Sequence, residues 1–351
     1  MKTLLIALSL MLFGAAHAAS PPAHPTQLEA GLNNPGYQEK PTWFKESFLD
    51  LRDDLNEAKA ANKRVILYFY QDGCPYCTKL LQDNFGKADI ADKTRKHFEV
   101  IAINMWGDRD VTDLDGKAAT EKTFAAAQQV QYTPTLLFLD ESGKVVLRVN
   151  GYYAPDKFNL ALDFVAGKHD QAGSFRDYFA KLKADGKINP PSKEYTLPRS
   201  LPQPLRLQEA RKGTGRPLMV VFAKADECDT CAELFDDIFK RENVVYSLGG
   251  LDVAQANPDA DTVIQTPDGK DIKLNEWAKS LGIKYSPSLV FFDTDGKEVF
   301  RTEAYLKAFH IHGALDYVAT GAYRAQPEFQ RYLQHRREVL EAHGFTVDLM
   351  K

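Results

Sequence analysis

Apolar residues in the first half of the chain fall into two alternating kinds of run. Residues 46–61 carry Phe48, Leu49, Leu51, Leu55 and Ala58 at helical spacing, and 65–70 follow as an unbroken β-branched and aromatic run. The first reads as an amphipathic helix, the second as a strand buried on both faces. Helical spacing resumes over 78–85, 98–104 is a second buried-strand run, and Asp115-Gly116 marks a hairpin turn before a helix over 121–129. Residues 136–140 and 145–150 flank a Glu-Ser-Gly-Lys turn as an antiparallel pair, and 158–166 close the series as a helix. Helices alternating with strands and ending in a hairpin predict α/β architecture with a mixed central sheet flanked by helices.

The second half repeats the first. Residues 162–168 (LDFVAGK) recur 153 positions later at 315–321 (LDYVATG), and 132–144 (YTPTLLFLDESGK) recur at the same offset as 285–297 (YSPSLVFFDTDGK). Around the cysteines the offset is 154, which costs one gap. A period of this size is a duplicated domain, not a short solenoid repeat. The expected organisation is a leader over 1–18, a loose arm over 19–40, domain 1 over 41–184, a linker over 185–204 and domain 2 over 205–351. Five prolines in the linker (Pro190, Pro191, Pro198, Pro202 and Pro204) make it a stiff spacer.

The leader has Lys2, an apolar stretch over 3–13 and the small residues Ala16 and Ala18 in A-x-A spacing, the pattern of a cleavable secretory signal. The stretch is shorter than the ~20 apolar residues of a membrane span, so export without stable membrane insertion is expected. Of the 351 residues 26% are charged, with a net charge of −4. No basic run stands out, which argues against a nucleic-acid partner.

The four cysteines form two C-x-x-C pairs, Cys74/Cys77 and Cys228/Cys231, each between a strand run and a helical run. A cysteine capping a helix N-terminus has its thiolate favoured by free N–H groups and the helix dipole, and Pro75 suits the first helical position. Two intervening residues let the second thiol resolve a mixed disulfide made by the first. One shared zinc would want the pairs ~15–20 residues apart, whereas 151 positions separate Cys77 from Cys228. No metal or cofactor is expected. A purely structural disulfide closing so short a loop would add little stability. Around Cys228 stand Asp226, Glu227, Asp229 and Glu233, which disfavour its thiolate, whereas Cys74 has Asp72 and Lys79 nearby. Cys74 is therefore expected to be the more reactive nucleophile. His310 and His312 match Lys157 and Asn159 of the first copy and are expected on the surface.

Pro134 lies 60 residues after Cys74, and Pro287 lies 59 after Cys228, each entering the third strand run. Strand, C-x-x-C, helix and then a Thr-Pro or Ser-Pro before a hairpin resembles the thioredoxin fold. The chain thus reads as two tandem thioredoxin-fold domains, similar to the bacterial periplasmic SoxW-like and DsbC/DsbG-like proteins. The resemblance implies cis peptides at Pro134 and Pro287, packed against the cysteines. It also implies that Thr133 and Ser286 present backbone to a bound peptide. Two departures stand out: Gly73 and Glu227 occupy the position of the family's tryptophan, and Tyr68 and Phe222 that of its buried acid.

The expected function is a periplasmic thiol–disulfide oxidoreductase working as a disulfide reductase, with Cys74/Cys77 catalytic and Cys228/Cys231 a second or relay couple. Its partners would be protein or peptide disulfides and thiols, and an inner-membrane electron carrier, since reduction in an oxidising compartment needs supplied electrons. Two alternatives stand beside it: a disulfide oxidase or isomerase, and a peptide-binding, chaperone-like scaffold with little redox turnover.

Overall fold

The first copy builds its sheet from chain-distant runs. In a computed structural model that describes residues 36–189, 193–224, 228, 230–304, 306–347 and 349, its elements are, in order, α1 (Leu51–Ala60), β1 (Arg64–Tyr70), α2 (Pro75–Leu80), α3 (Ala88–His97), β2 (Phe98–Asn104), β3 (Asp110–Thr112), β4 (Ala118–Thr120), α4 (Glu121–Ala127), β5 (Thr135–Leu139), β6 (Val145–Asn150), α5 (Pro155–Ala166) and α6 (Phe175–Ala184). The second copy follows with α7 (Leu207–Ala210), β7 (Leu218–Phe222), α8 (Glu242–Leu248), β8 (Asp252–Ala256), β9 (Val263–Gln265), β10 (Asp271–Lys273), α9 (Leu274–Ser280), β11 (Ser288–Phe292), β12 (Glu298–Thr302), α10 (Ala308–Ala319) and α11 (Phe329–Ala342). The leader and most of the arm lie outside the described residues, as do three of the four acids around Cys228.

Each copy has one four-stranded mixed sheet, β2-β1-β5-β6 and β8-β7-β11-β12. β1 runs parallel to β2 and antiparallel to β5, and β7 stands in the same relation to β8 and β11. The central strands β1, β5, β7 and β11 are buried almost end to end, which is why their sequences are continuous apolar runs rather than alternating ones. Apolar clusters cover both faces of each sheet. From β9 onward the elements repeat at an offset of 153 as far as α10; β2, α3 and α6 match β8, α8 and α11 at 154. One gap therefore lies in the loop after β2 and β8, and a second between α5 and α6 and their counterparts α10 and α11.

The first helix begins later than its apolar stripe predicts. Leu49 has φ 64° and Asp50 caps the helix by accepting the N–H of Arg52, so Phe48 projects fully into solvent instead of joining the buried stripe. The helix expected over 78–85 is α2 followed by a π-turn, Leu81–Phe85. The second half of the proline-rich segment is not a bare spacer. Leu197 is buried in copy two's core, Leu201 N–H donates to Val253 O at 2.8 Å, and Tyr195 stacks on Phe235. Among the described residues no helix is long and apolar enough to cross a membrane.

Candidate active site

Strand β1 ends at Tyr70, and four residues later Cys74 caps α2 with extended backbone. Pro75 takes the first helical position, where its missing N–H costs nothing. The N–H of Cys77 donates to Cys74 Sγ at 3.0 Å, so the dipole of the helix start is aimed at that sulfur. Cys74 and Cys77 are joined in a disulfide, as are Cys228 and Cys231. Sγ of Cys74 also lies 3.4 Å from the carbonyl oxygen of Thr133, to which a reduced thiol would donate. The Thr133-Pro134 and Ser286-Pro287 peptides are cis.

The second copy differs in detail. There the N–H of Cys231 goes to the carbonyl of Cys228 at 3.3 Å rather than to its sulfur, and the chain passes directly into a π-turn, Ala232–Asp237. Ser286 accepts the N–H of Lys224 through its hydroxyl. Glu233 forms an ion pair with Lys307, so its charge is at least partly neutralised. In copy one the Lys79 ammonium is likewise committed, to Asp83, which also accepts the hydroxyl of Tyr152. The chief support for a Cys74 thiolate is thus the helix start, not Lys79.

Tyr68 is fully buried in the cluster that holds Cys74 and Cys77, and among the described residues its hydroxyl has no hydrogen-bond partner. Burial pushes its pKa far up, so it stays a neutral phenol and cannot serve as a base.

Three residues that the motifs did not single out complete the surroundings. Gln38 donates to the Cys74 carbonyl at 3.0 Å and to Thr78 Oγ1. Tyr76, between the first two cysteines, accepts the N–H of Lys307 at 2.7 Å and lies 3.2 Å from Nδ1 of His310. His310 is therefore buried against copy one's motif, contrary to the surface position expected from its counterpart Lys157. No spacing within one copy could have signalled a contact 234 residues apart.

The family model for the thioredoxin-like domain matches the chain twice, over residues 51–166 and 206–319. No curated protein matches it. Among solved structures, a thioredoxin-fold protein from Helicobacter pylori is 27% identical over 36% of this chain and 83% of its own, with a TM-score of 0.31. A thioredoxin from Thermus thermophilus is 22% identical over 33% of this chain and 83% of its own, TM-score 0.27. A DsbH oxidoreductase is 18% identical over 40% and 95%, TM-score 0.26. Two disulfide-bonded C-x-x-C pairs in such domains are the apparatus of a thiol–disulfide oxidoreductase. The chain belongs to the thioredoxin-like domain family, in two tandem copies.

Proposed function

We propose that the protein is an exported, periplasmic disulfide reductase in which Cys74 is the attacking thiol, Cys77 resolves, and Cys228/Cys231 form a second or relay couple. The observation that carries this reading is the Cys77 N–H aimed at Cys74 Sγ from a helix start, an arrangement that favours a thiolate. That thiolate attacks one sulfur of a client disulfide, forming a mixed disulfide and releasing the other client sulfur as thiolate. Cys77 thiolate then attacks Cys74 Sγ, expelling the second client thiolate and leaving Cys74–Cys77 oxidised. Two electrons have passed to the client, and a dithiol donor must return them; an inner-membrane carrier meets that need. The Thr133-Pro134 and Ser286-Pro287 segments are the proposed peptide-facing edges.

The test is the reduction potential of Cys74/Cys77 in a Cys228→Ser/Cys231→Ser background, equilibrated against dithiothreitol or glutathione. A value near about −270 mV is expected for a reductase, whereas about −120 to −180 mV would reassign the site to oxidation or isomerisation. If the same double variant turned over at the wild-type rate with its natural donor, the relay role of the second couple would be abandoned.

A further inference from the structure

The faces that carry the two cysteine pairs are turned toward each other. Tyr132, two residues before Pro134, leaves its own copy and enters the core of the other: its ring packs 6.4 Å from those of Phe300 and Phe329, and its hydroxyl donates to the carbonyl of Arg301. Tyr285, the equivalent residue of copy two, stacks on Tyr153 of copy one at 5.9 Å, with the Lys157 ammonium 4.9 and 5.4 Å from the two rings. Tyr76 reaches across to Lys307 and His310. Around these exchanged aromatics, Gln330 donates to Gln131 O at 3.2 Å, Arg331 lies over Trp106, and Arg176 pairs with Asp259.

Access to the sulfurs is correspondingly small. Cys74 is 2% exposed and Cys228 5%, with Cys77 and Cys231 fully buried. The cavity bounded by Thr230, Pro287, Leu306 and Ile311 measures about 10 Å³, room for roughly one water. An extended peptide laid beside either proline needs a strand's width, ~4.7 Å, along several residues. This cavity, lined by copy two's own residues, is smaller than such a slot.

We propose that this is a self-closed form in which each copy shields the other's redox face, and that exchange with macromolecular disulfides proceeds through an open form in which the copies part. The inference rests on the thiol–disulfide reading above and adds its regulation. Lys193 is paired with Asp236 of copy two at 2.7 Å. From Lys193 onward the connection travels with copy two, as the burial of Leu197 shows. Small thiols and disulfides sample the sites through limited local opening, whereas a folded client requires the full separation.

The test compares two maleimides on the reduced full-length protein, N-ethylmaleimide and a polyethylene-glycol maleimide of protein size, with modification of Cys74 followed by mass spectrometry. The wild type should discriminate against the bulky reagent, and Tyr132→Ala should relax that discrimination by about ten-fold, because it withdraws a ring from copy two's core. Arg176→Glu, which sets like charges against Asp259 at the rim of the contact, should act in the same direction by about two-fold. This second variant answers the question if Tyr132→Ala fails to give a cooperative melt. Equal discrimination in wild type and both variants would overturn the closure. Its failure is separable from that of the redox reading. If both pairs cycle with glutathione but discrimination never changes, closure falls and the oxidoreductase stands. If discrimination relaxes while neither pair cycles, the reverse holds.

Discussion

Glu141 sits in the turn between β5 and β6, and its carboxylate accepts from Arg64 at 3.0 Å and Lys168 at 2.8 Å. Hydrogen bonds from Arg64 and then Lys168 lower its pKa from 4.5 to about 2. Arg64 is itself buried and donates to Asp170 and to the Val165 carbonyl, so one guanidinium ties the start of β1 to the hairpin and to the end of α5. The unfolded chain binds a proton at Glu141 below about pH 4.5 and the folded chain only near 2. The stabilisation is therefore fully present above that upper value and disappears as pH falls through the window. Because the Glu141 side chain is 33% exposed, water screens the pair, and the contribution is discounted to about 1 kcal/mol. Glu141→Gln should lower the urea midpoint by that amount at neutral pH, and its deficit should shrink steadily on acidification toward pH 3. A deficit independent of pH would show that packing rather than charge is lost. The copy-two counterparts of Arg64 and Glu141 are Leu218 and Thr294. The clamp joins positions up to 106 residues apart, and neither the repeat nor any local spacing made it legible.

Continuous apolar runs located the strands well: β2 and β6 begin and end where their hydrophobic runs do, and the remaining central strands shift by a residue. Helices were legible only where they bury a full stripe. α5 buries five residues, and its run was read; α3 buries only Ile90 and Thr94, α6 none, and α11 only Phe329 and Leu333, so their sequences carry little apolar periodicity. The π-turn after α2 is invisible to pattern, because one extra residue in a turn leaves the hydrophobic spacing nearly intact. Its geometry makes a prediction at Gly86, which ends the turn. A Cβ there would come 2.6 Å from the carbonyl oxygen of Gln82 and 3.0 Å from that of Leu81. Replacing glycine by alanine at an unstrained site stabilises by ~0.4–1 kcal/mol through the unfolded chain. Here the overlap is with backbone that cannot swing away, and it outweighs that gain. Gly86→Ala should cost about 1–3 kcal/mol, read as a lower melting temperature; an unchanged or raised melting temperature would mean the π-turn relaxes at no cost.

At the scale of the whole molecule, comparing the copies reveals what each contains but not what joins them. The C-x-x-C pairs and both proline loops stand out from spacing, because chemistry constrains those positions within one domain. Lys157 and His310 occupy the same place in α5 and α10, and both meet an aromatic ring of the opposite copy, Tyr285 and Tyr76 respectively. A polar residue at that position reads as surface in either copy alone, and becomes interior only when the two faces meet. Burial pushes the pKa of His310 from 6.5 down to about 4, so the imidazole is neutral at neutral pH. Tyr76 accepts the Lys307 N–H and shares a further hydrogen bond with Nδ1 of this neutral imidazole. A protonated His310 would carry its charge in a site closed to water. The open or unfolded chain takes up this proton below about pH 6.5, and the closed chain resists it until about 4. Closure is fully supported above the upper value and weakens as pH falls through the window, by at most about 3 kcal/mol. His310→Gln keeps an acceptor for Tyr76 but cannot charge. Small-angle X-ray scattering from pH 7 to 4.5 should show the wild type expanding while His310→Gln keeps its radius of gyration. Parallel curves for the two proteins would mean that this histidine does not govern the contact between the copies.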